Sequence, residues 1–320
     1  MTKGKHIPED SAQQPENHSS TAYHVPVMLL EAVEGLAIRK NGIYVDCTFG
    51  GGGHSREILR HLGEEGKLFV FDQDADVKQH VPADPRVVFI PHNFRHLQRF
   101  LRLHKVAQVD GILADLGVSS HQFDEADRGF STRFDADMDM RMDMRQSLTA
   151  FNIISTYDEQ RLHKIFEQYG EVTNAKTLAK TIVQIRQTVT LQTISNFKSA
   201  LAGIVKGNPN RYFAQVFQAL RIEVNDEFGA LRDMLNQAPE VLKNGGRIVV
   251  ITFHSLEDRI VKNFFKRGLF EENEEFSPFE QHTSQSRLRP LTKKPVSPGA
   301  DELKKNARSR SARLRIAERV

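Results

Sequence analysis

Cysteine is almost absent from this chain of 320 residues: Cys47 is the only one, so no intramolecular disulfide can form. That usage is typical of a reducing compartment. No apolar run approaches the ~20 residues that a membrane span needs. The first 22 residues are polar and contain no apolar signal core. We therefore expect a cytoplasmic protein without a membrane segment, whose residues 1–22 form a disordered tail.

Sequence patterns for metal binding are also missing. No cluster of Cys and His residues suggests zinc. Asp135, Asp137 and Asp139 match the opening of a calcium-binding loop, but Met140 stands where that loop requires glycine. The twelfth position of such a loop would be Gln146 instead of Glu. We therefore expect no metal site.

The net charge of +3 hides an uneven distribution along the chain. Residues 287–320 contain eleven Lys or Arg against three Asp or Glu, a local charge of +8, so that the other residues together carry −5. A basic segment on a mildly acidic body indicates a polyanionic partner. A solvated, partly disordered tail would have the same composition, and charge alone leaves both interpretations open.

The most informative stretch that is present covers residues 43–54. A β-branched and aromatic run ends at Asp46, and four consecutive glycines follow at 50–53. This order predicts a strand, a tight turn with room for a ligand, and the start of a helix. Residues 67–72 predict a second strand that again ends in a carboxylate. A glycine-rich turn followed about 20 residues later by an acid is typical of doubly wound folds that hold a nucleoside.

Two cofactor classes fit this turn. A dinucleotide fingerprint has glycine at its first, third and sixth positions, but counted from Gly50 the sixth position is Ser55. Asp46, just before the turn, suits a cofactor with a positively charged amino acid end, such as S-adenosylmethionine, and would repel a pyrophosphate. The third interpretation is a turn without a ligand, in which four adjacent glycines would cost backbone entropy without a function.

Strand-like runs recur with the rhythm of βαβ units in a parallel sheet. They lie at 42–47, 67–72, 86–91, 109–115 and 247–253. Between Ser119 and Arg221 the pattern changes to apolar residues at helical spacing. We expect an α/β fold with an inserted helical subdomain, one helix over 223–238, and a final edge strand over 312–319 with one face in water.

Ligands of open α/β sheets bind at the carboxyl ends of the strands. Asp115 lies at such an end and can accept hydrogen bonds from an amino group, with capping of a turn as the alternative. Phe94 suits stacking on a purine or ordinary core packing. His54 and His254 suit a place in the site or a structural role such as helix capping. Asp72 is the acid expected to hold ribose hydroxyls.

Seven stretches carry a resemblance to a known family. They are residues 24–31, 46–55, 110–120, 139–143, 217–225, 253–262 and 313–319. Together they resemble the bacterial 16S rRNA (cytosine-N4)-methyltransferases of the RsmH (MraW) family, and the match covers nearly all of residues 23–319. The motifs are long, and in combination they are highly specific.

The resemblance implies a class I (Rossmann-like) methyltransferase sheet formed by residues 23–118 and 222–320. Residues 119–221 would be an inserted all-helical domain for substrate recognition. It also implies that S-adenosylmethionine is the cofactor and that the product is an N4-methylated cytosine in the decoding region of 16S rRNA. The partner would be free 16S rRNA or the assembled small ribosomal subunit; the oligomeric state, including a dimer, stays open.

Cofactor contacts follow from the family motifs residue by residue. The resemblance assigns them to Gly52, Gly53, His54, Asp72, Phe94, Asp115 and Gln122. The chain departs from the family pattern where Cys47 replaces a glycine and His121 replaces a proline. Residues 136–138 replace a Gly-Pro-Leu.

For methylation of a cytosine amino group we expect Asp115 to orient that group, with positioning supplying much of the rest. His254 is the second catalytic candidate. Methylation at C5 would need a cysteine nucleophile, and Cys47 lies beside the cofactor loop, which disfavours that chemistry. Two rival functions remain: a nucleotide-dependent oxidoreductase, which the missing third glycine disfavours, and a non-enzymatic RNA-binding protein, which would not need five converging strand ends.

Overall fold

The computed structural model describes residues 26–270 and 286–320, and the tail expected over residues 1–22 lies outside them. Seven strands form one sheet in the order β3-β2-β1-β4-β5-β7-β6. The strands are β1 (Ile43–Asp46), β2 (Lys67–Phe71), β3 (Val87–Ile90), β4 (Val109–Asp115), β5 (Leu242–Thr252), β6 (Leu288–Pro290) and β7 (Arg313–Arg319). The first five strands are parallel, and β7 runs antiparallel to both of its neighbours.

Twelve α-helices accompany the sheet in the described residues. They are α1 (Leu29–Leu36), α2 (Gly53–His61), α3 (Leu97–Leu103), α4 (Ser120–Asp124), α5 (Ala150–Thr156), α6 (Glu159–Gln168), α7 (Ala175–Ile185), α8 (Ile194–Leu201), α9 (Pro209–Asn225), α10 (Glu227–Val241), α11 (Ser255–Arg267) and α12 (Ala300–Lys305). Short 3₁₀ turns cover 75–80, 94–96, 126–128, 202–204 and 307–311.

Alternate strand residues fill the two faces of the sheet, as the two-residue period of a strand dictates. Phe69 and Phe71 of β2 join the core beneath α3, α10 and α11. Their neighbours Leu68 and Val70 join the core beneath α1 and α2. Covered on both faces, the parallel strands read as continuous apolar runs. This confirms the class I methyltransferase fold that the sequence predicts.

The helical region between β4 and β5 has a hydrophobic core of its own. Residues from Phe130 to Val224 build it, with Phe166 and Phe197 completely buried. The helix predicted over 223–238 is in fact two helices. Asp226 adopts a left-handed conformation with φ of 46°, which ends α9 and lets α10 begin at Glu227.

The prediction of a final edge strand is wrong. β7 lies between β5 and β6, and β6 forms the edge. The alternation of charged and apolar residues suggested one wet face, but Arg315 is only 6% exposed. Its guanidinium donates two hydrogen bonds, of 2.7 and 2.9 Å, to the carboxylate of Asp258 in α11. Pairing with a carboxylate lets a charged side chain occupy an interior strand.

Membrane-spanning helices are not found in the described residues: none there has both the length and the apolar character required.

We predict that Arg315→Met lowers the free energy of unfolding by about 3 kcal/mol, because removing one partner of a buried ion pair leaves the other charge poorly compensated. Among the described residues, Asp258 would keep one ion pair, with Arg313, whose Nη1 lies 3.3 Å from its carboxylate. Urea unfolding measures the change. Arg310→Met, at an exposed position of the same segment, is the matched control and should change stability by less than about 0.5 kcal/mol. Equal stability of the two variants would contradict the structural role of Arg315.

Candidate active site at the carboxyl edge of the sheet

A cavity of about 500 Å³ opens where β1, β2 and β4 end. Its walls come from the glycine turn after β1, the loops after β2 and β3, and the segment from β4 into α4. The start of α10, Glu257 of α11 and Arg308 of the C-terminal segment also line it. Six of the seven residues assigned to cofactor binding line this cavity: Gly53, His54, Asp72, Phe94, Asp115 and Gln122.

The glycine turn is needed both for its conformation and for its close packing. Gly50 and Gly52 have φ of 49° and 73°, in the left-handed region that favours glycine. Gly52 precedes α2 and supports the turn from behind, where a Cβ would lie 2.7 Å from the Phe49 ring. A Cβ on Gly53 would lie 2.0 Å from Cγ of Pro26. A Cβ on Gly51, in contrast, would meet nothing within 4 Å, and Gly51 lines the cavity, so the turn leaves backbone bare there.

Asp46 holds this turn from below and does not face the cavity. It is 1% exposed. One carboxylate oxygen accepts from the Thr48 amide at 3.0 Å, and the other accepts from Ser55 Oγ at 2.6 Å. Burial raises the pKa of Asp46. These hydrogen bonds oppose the shift, but burial has the larger effect. Asp46 is therefore not placed to meet the charged end of a cofactor, contrary to the expectation from the sequence. Asp115, which lines the cavity, is the better candidate for that contact.

Asp72 ties the turn to the neighbouring strand. Its carboxylate accepts from the Gly50 amide at 2.8 Å and from the Asp74 amide at 2.9 Å. A carboxylate has about four acceptor sites, so two remain for a ligand. Burial raises the pKa of Asp72 to about 6, although both backbone hydrogen bonds oppose the shift. Asp72 thus combines a fixed position with unused hydrogen-bonding capacity.

Asp115 is the last residue of β4, and its carboxylate is incompletely satisfied. Its Oδ1 is buried and has no hydrogen-bond partner among the described residues. Burial raises the pKa of Asp115 well above the usual range, and the nearby charges of Asp46, Glu257 and Glu302 add to the shift. Its amide is fixed by a 2.7 Å hydrogen bond to Thr48 Oγ1. A buried acceptor without a partner is costly unless a ligand supplies a donor.

His54 faces Asp115 from the first turn of α2. Its Nε2 lies 3.1 Å from the carbonyl oxygen of Val27, and its Nδ1 lies 3.8 Å from Asp115 Oδ2. Because a carbonyl only accepts, Nε2 carries the proton and Nδ1 presents a lone pair to Asp115. Burial lowers the pKa of His54, which keeps the ring neutral. His54 therefore places a neutral acceptor beside the unsatisfied carboxylate and adds no positive charge to it.

The Gln122 side chain connects the start of α4 to the loop after β2. Its side-chain oxygen accepts from the Ser119 amide at 3.2 Å, completing a capping box at the start of α4. Its Nε2 donates to Asp74 Oδ2 at 2.7 Å, and Arg128 lies 2.9 Å from the same oxygen. This network joins α4 to the loop after β2. The sequence alone assigns no role to Asp74 or Arg128. The signal that could have indicated Asp74 is its position as a second carboxylate two residues after Asp72.

Phe94 forms the apolar side of the cavity. It begins the 3₁₀ turn after β3, is half-buried, and packs against the core beneath α10. Asn93 caps this turn by accepting from the Arg95 amide at 2.9 Å and donates to Gln73 at 2.9 Å. The ring therefore sits on a fixed backbone and keeps a surface toward the cavity.

His254 lies just outside the described lining of the cavity. It caps α11, with Nδ1 3.4 Å from the Glu257 amide and Nε2 3.1 Å from Glu257 Oε1. Glu257 also accepts from the Phe253 amide at 2.8 Å. Burial alone would raise the pKa of Glu257, but His254, that amide and Arg221 hold it below its usual value. This arrangement favours the capping alternative for His254.

Asn225 was not singled out from the sequence as a site residue. At the end of α9 it is buried and lines the cavity. Its side-chain oxygen accepts from the Met142 amide at 2.7 Å, and its Nδ2 donates to the Met140 carbonyl at 2.8 Å. It thereby anchors the loop that follows Gly129 to the cavity wall. A single Asn gives no periodic signal, so only the folded chain shows this role.

The three carboxylates that resemble a calcium loop diverge in the structure. Asp135 accepts from the Ser195 amide, Asp137 faces Gln192, and Asp139 pairs with Arg141 at 2.7 Å. Across the described ranges 26–270 and 286–320, no group of three potential ligands is placed to hold a metal ion.

The sequence is similar to a known family over nearly its whole length. A sequence model described as the MraW methylase family matches residues 21–320. The chain is 53% identical over 302 residues to ribosomal RNA small subunit methyltransferase H of Parabacteroides distasonis, covering 94% of this chain and 98% of that protein. It is 51% identical over 296 residues to the protein of the same name from Flavobacterium psychrophilum, covering 91% of this chain and all of that one.

Solved structures are more distant. An rRNA methylase from Streptococcus thermophilus aligns with a TM-score of 0.40 and 11% identity, over 91% of this chain and 95% of that chain.

Proposed function

The chain belongs to the MraW methylase family, and from that premise we propose that it methylates N4 of a cytosine in the decoding region of 16S rRNA. The methyl donor is S-adenosylmethionine. The observation that carries the proposal is the buried Asp115 Oδ1, which has no partner among the described residues and lies at the edge of a cavity large enough for a nucleoside cofactor. A substrate amino group supplies the donor that this oxygen lacks.

The residues fit the cofactor by shape and by charge. The glycine turn leaves backbone bare beside the cavity, and Asp72 has acceptor sites left for two ribose hydroxyls. Phe94 offers a flat apolar surface for the adenine ring. Asp115 and Glu257 make the interior acidic, which favours a cation and disfavours the pyrophosphate of a dinucleotide. That polarity supports S-adenosylmethionine over the oxidoreductase alternative.

Bound S-adenosylmethionine supplies a methyl group activated by a sulfonium. The N4 lone pair of cytosine is delocalised into its ring, so the enzyme must orient the amino group and accept a proton from it. Asp115 does both: its free oxygen accepts the N4–H, and its raised pKa makes it a stronger base than an ordinary carboxylate. Asp115 takes the proton as the N–C bond forms and the S–C bond breaks. The Asp115 backbone is fixed by the hydrogen bond from its amide to Thr48 Oγ1.

RNA meets the protein outside this acidic interior. Part of the basic C-terminal segment is neutralised within the fold, since Arg313 and Arg315 pair with Asp258 and Arg287 pairs with Glu240. The exposed basic side chains of the segment are Arg287, Arg289, Lys293, Lys294, Lys304, Lys305, Arg310 and Arg313, of which Arg287, Arg289 and Arg313 pair with carboxylates of the fold. Together with the inserted helical region over 119–221, they form the surface that we assign to RNA phosphates. The substrate is 16S rRNA, free or in the small subunit, and we place the reaction in the cytoplasm.

We predict that Asp72→Ala weakens S-adenosylmethionine binding by about 1–3 kcal/mol, because ribose hydroxyls lose their acceptor. Only the ionised carboxylate accepts both hydroxyls. With a pKa of about 6, Asp72 should therefore contribute fully above pH 7, and its contribution should decline as the pH falls through 6. Calorimetry at several pH values should show the wild-type advantage over Asp72→Ala shrinking in that range.

Asp84→Ala is the matched control for this experiment. Asp84 pairs with Arg86 at 2.7 Å just before β3, at the opposite edge of the sheet. Its replacement should leave cofactor affinity unchanged at every pH. An Asp72→Ala variant with wild-type affinity would remove Asp72 from the site.

The proposed reaction is tested by incubating the protein with labelled S-adenosylmethionine and small-subunit rRNA, both free and as assembled subunits. Mass spectrometry of the digested RNA should identify N4-methylcytidine. Cys47→Ser should retain a measurable rate, because the reaction needs no covalent adduct to a thiol; Cys47 is buried, and burial raises the pKa of its thiol well above the usual range. A C5-methylated product, or loss of transfer in Cys47→Ser with cofactor binding intact, would contradict the proposal.

A further inference from the structure

A cluster of aromatic and arginine side chains surrounds the mouth of the cavity. It comprises Phe123 and Asp124 of α4, Arg133 and Phe134 of the following loop, and Arg308 of the C-terminal segment, and is called the mouth cluster below. Asp124 and Arg308 line the cavity itself. The cluster thus combines residues from three separate stretches of the chain at one opening.

The planar groups of the mouth cluster are arranged for stacking. The Arg133 guanidinium lies 5.3 Å from the Phe123 ring centre and 5.4 Å from the Phe134 ring centre. The Arg308 guanidinium also lies 5.4 Å from the Phe123 ring centre. Phe134 is 38% exposed, which leaves much of an aromatic ring in water. Exposed aromatic faces beside arginine are the surfaces on which proteins stack the bases of single-stranded nucleic acid.

The charges of the mouth cluster fit a phosphate. Arg133 and Arg308 both bind the Asp124 carboxylate, at 3.1 and 2.6 Å, so two cations share one anion. The Arg308 Nη1 is buried and has no hydrogen-bond partner among the residues the structure describes. Inside the cavity, in contrast, Asp72, Asp115 and Glu257 would repel a phosphate. A nucleotide chain can therefore send a base inward only while its phosphates stay at the mouth.

We propose, on the premise that the chain methylates an RNA cytosine, that the mouth cluster holds the nucleotide next to the target. Its base stacks on Phe134 beside Arg133, and its phosphate takes the free donor of Arg308. Reaching N4 in the cavity requires the target cytosine to leave its neighbours, and a stacked adjacent base offsets part of that cost. The mouth cluster thus positions the substrate, and none of its side chains takes part in methyl or proton transfer.

The test compares Phe134→Leu with Phe134→Trp. Leucine keeps apolar bulk without an aromatic face, whereas tryptophan restores one. Methylation kinetics are measured on small subunits that lack the modification, and cofactor affinity is measured by calorimetry. We expect Phe134→Leu to raise KM for the subunit about tenfold with unchanged cofactor affinity, and Phe134→Trp to restore it. Arg133→Gln should raise KM and reduce its salt dependence. Leu103→Ala, at an exposed apolar position at the end of α3 and outside the surface assigned to RNA, should behave as wild type.

Three results would overturn the role of the mouth cluster while leaving the proposed reaction standing. The first two are a wild-type KM in Phe134→Leu and equal impairment of Phe134→Leu and Phe134→Trp. The second would mean that Phe134 only packs its loop. A changed sedimentation coefficient in Phe134→Leu would make the patch a contact between copies of the chain, and would also overturn the proposal. A wild-type protein that forms no N4-methylcytidine on any rRNA substrate would refute the proposed function and this inference with it.

Discussion

Three aspartates crowd the carboxyl edge of the sheet, and no Lys or Arg of the described residues pairs with them. Backbone amides and a hydroxyl hold the carboxylates of Asp46 and Asp72, and the carboxylate of Asp115 faces the neutral ring of His54. Burial without a counter-cation raises the pKa of each, so the fold stores unfavourable negative charge at one place. Under the proposed function, a cationic cofactor would relieve that cost when it binds, and the same groups would then set both affinity and selectivity.

Hydrogen bonds from the surrounding structure fix the positions of these three aspartates. Thr48 links two of them, because its amide donates to Asp46 and its hydroxyl accepts from the Asp115 amide. Arg128, Gln122 and Asp74 fasten α4 against the loop after β2. At the other side, Glu302 of α12 accepts from the Met28 amide at 2.8 Å, which brings the C-terminal segment to the start of α1. Positive charge is kept to the outside of the site, where RNA phosphates would meet it.

The sequence predicts the framework well because its signals are local. Runs of β-branched, aromatic and other apolar residues mark β1 to β4, and four glycines mark the turn. The family prediction is confirmed by the matching family model and by relatives about half identical over nearly the whole chain. The class I fold is confirmed by the strand order.

What the sequence could not give depends on contacts between distant residues. Arg315 reads as an exposed side chain until its partner Asp258 is known, so β7 was placed at the edge. Asp46 reads as a ligand for the cofactor until Ser55 is seen to occupy its carboxylate. Asn225 ends one of the seven family stretches, but its role comes from contacts with a loop more than eighty residues earlier in the chain, which that stretch does not reveal. The remaining site assignments stay predictions that require measurement.

We propose that the unsatisfied carboxylate of Asp115 receives the proton of the substrate amino group. Asp115→Asn keeps the shape of the side chain and removes the base, so at saturating cofactor kcat should fall by at least about 100-fold. The variant should remain folded with an unchanged or higher Tm, because a buried charge near Asp46 and Glu257 is removed. Its residual rate should lose the pH dependence of the wild type. A kcat within about twofold of wild type, with the same pH profile, would contradict this account.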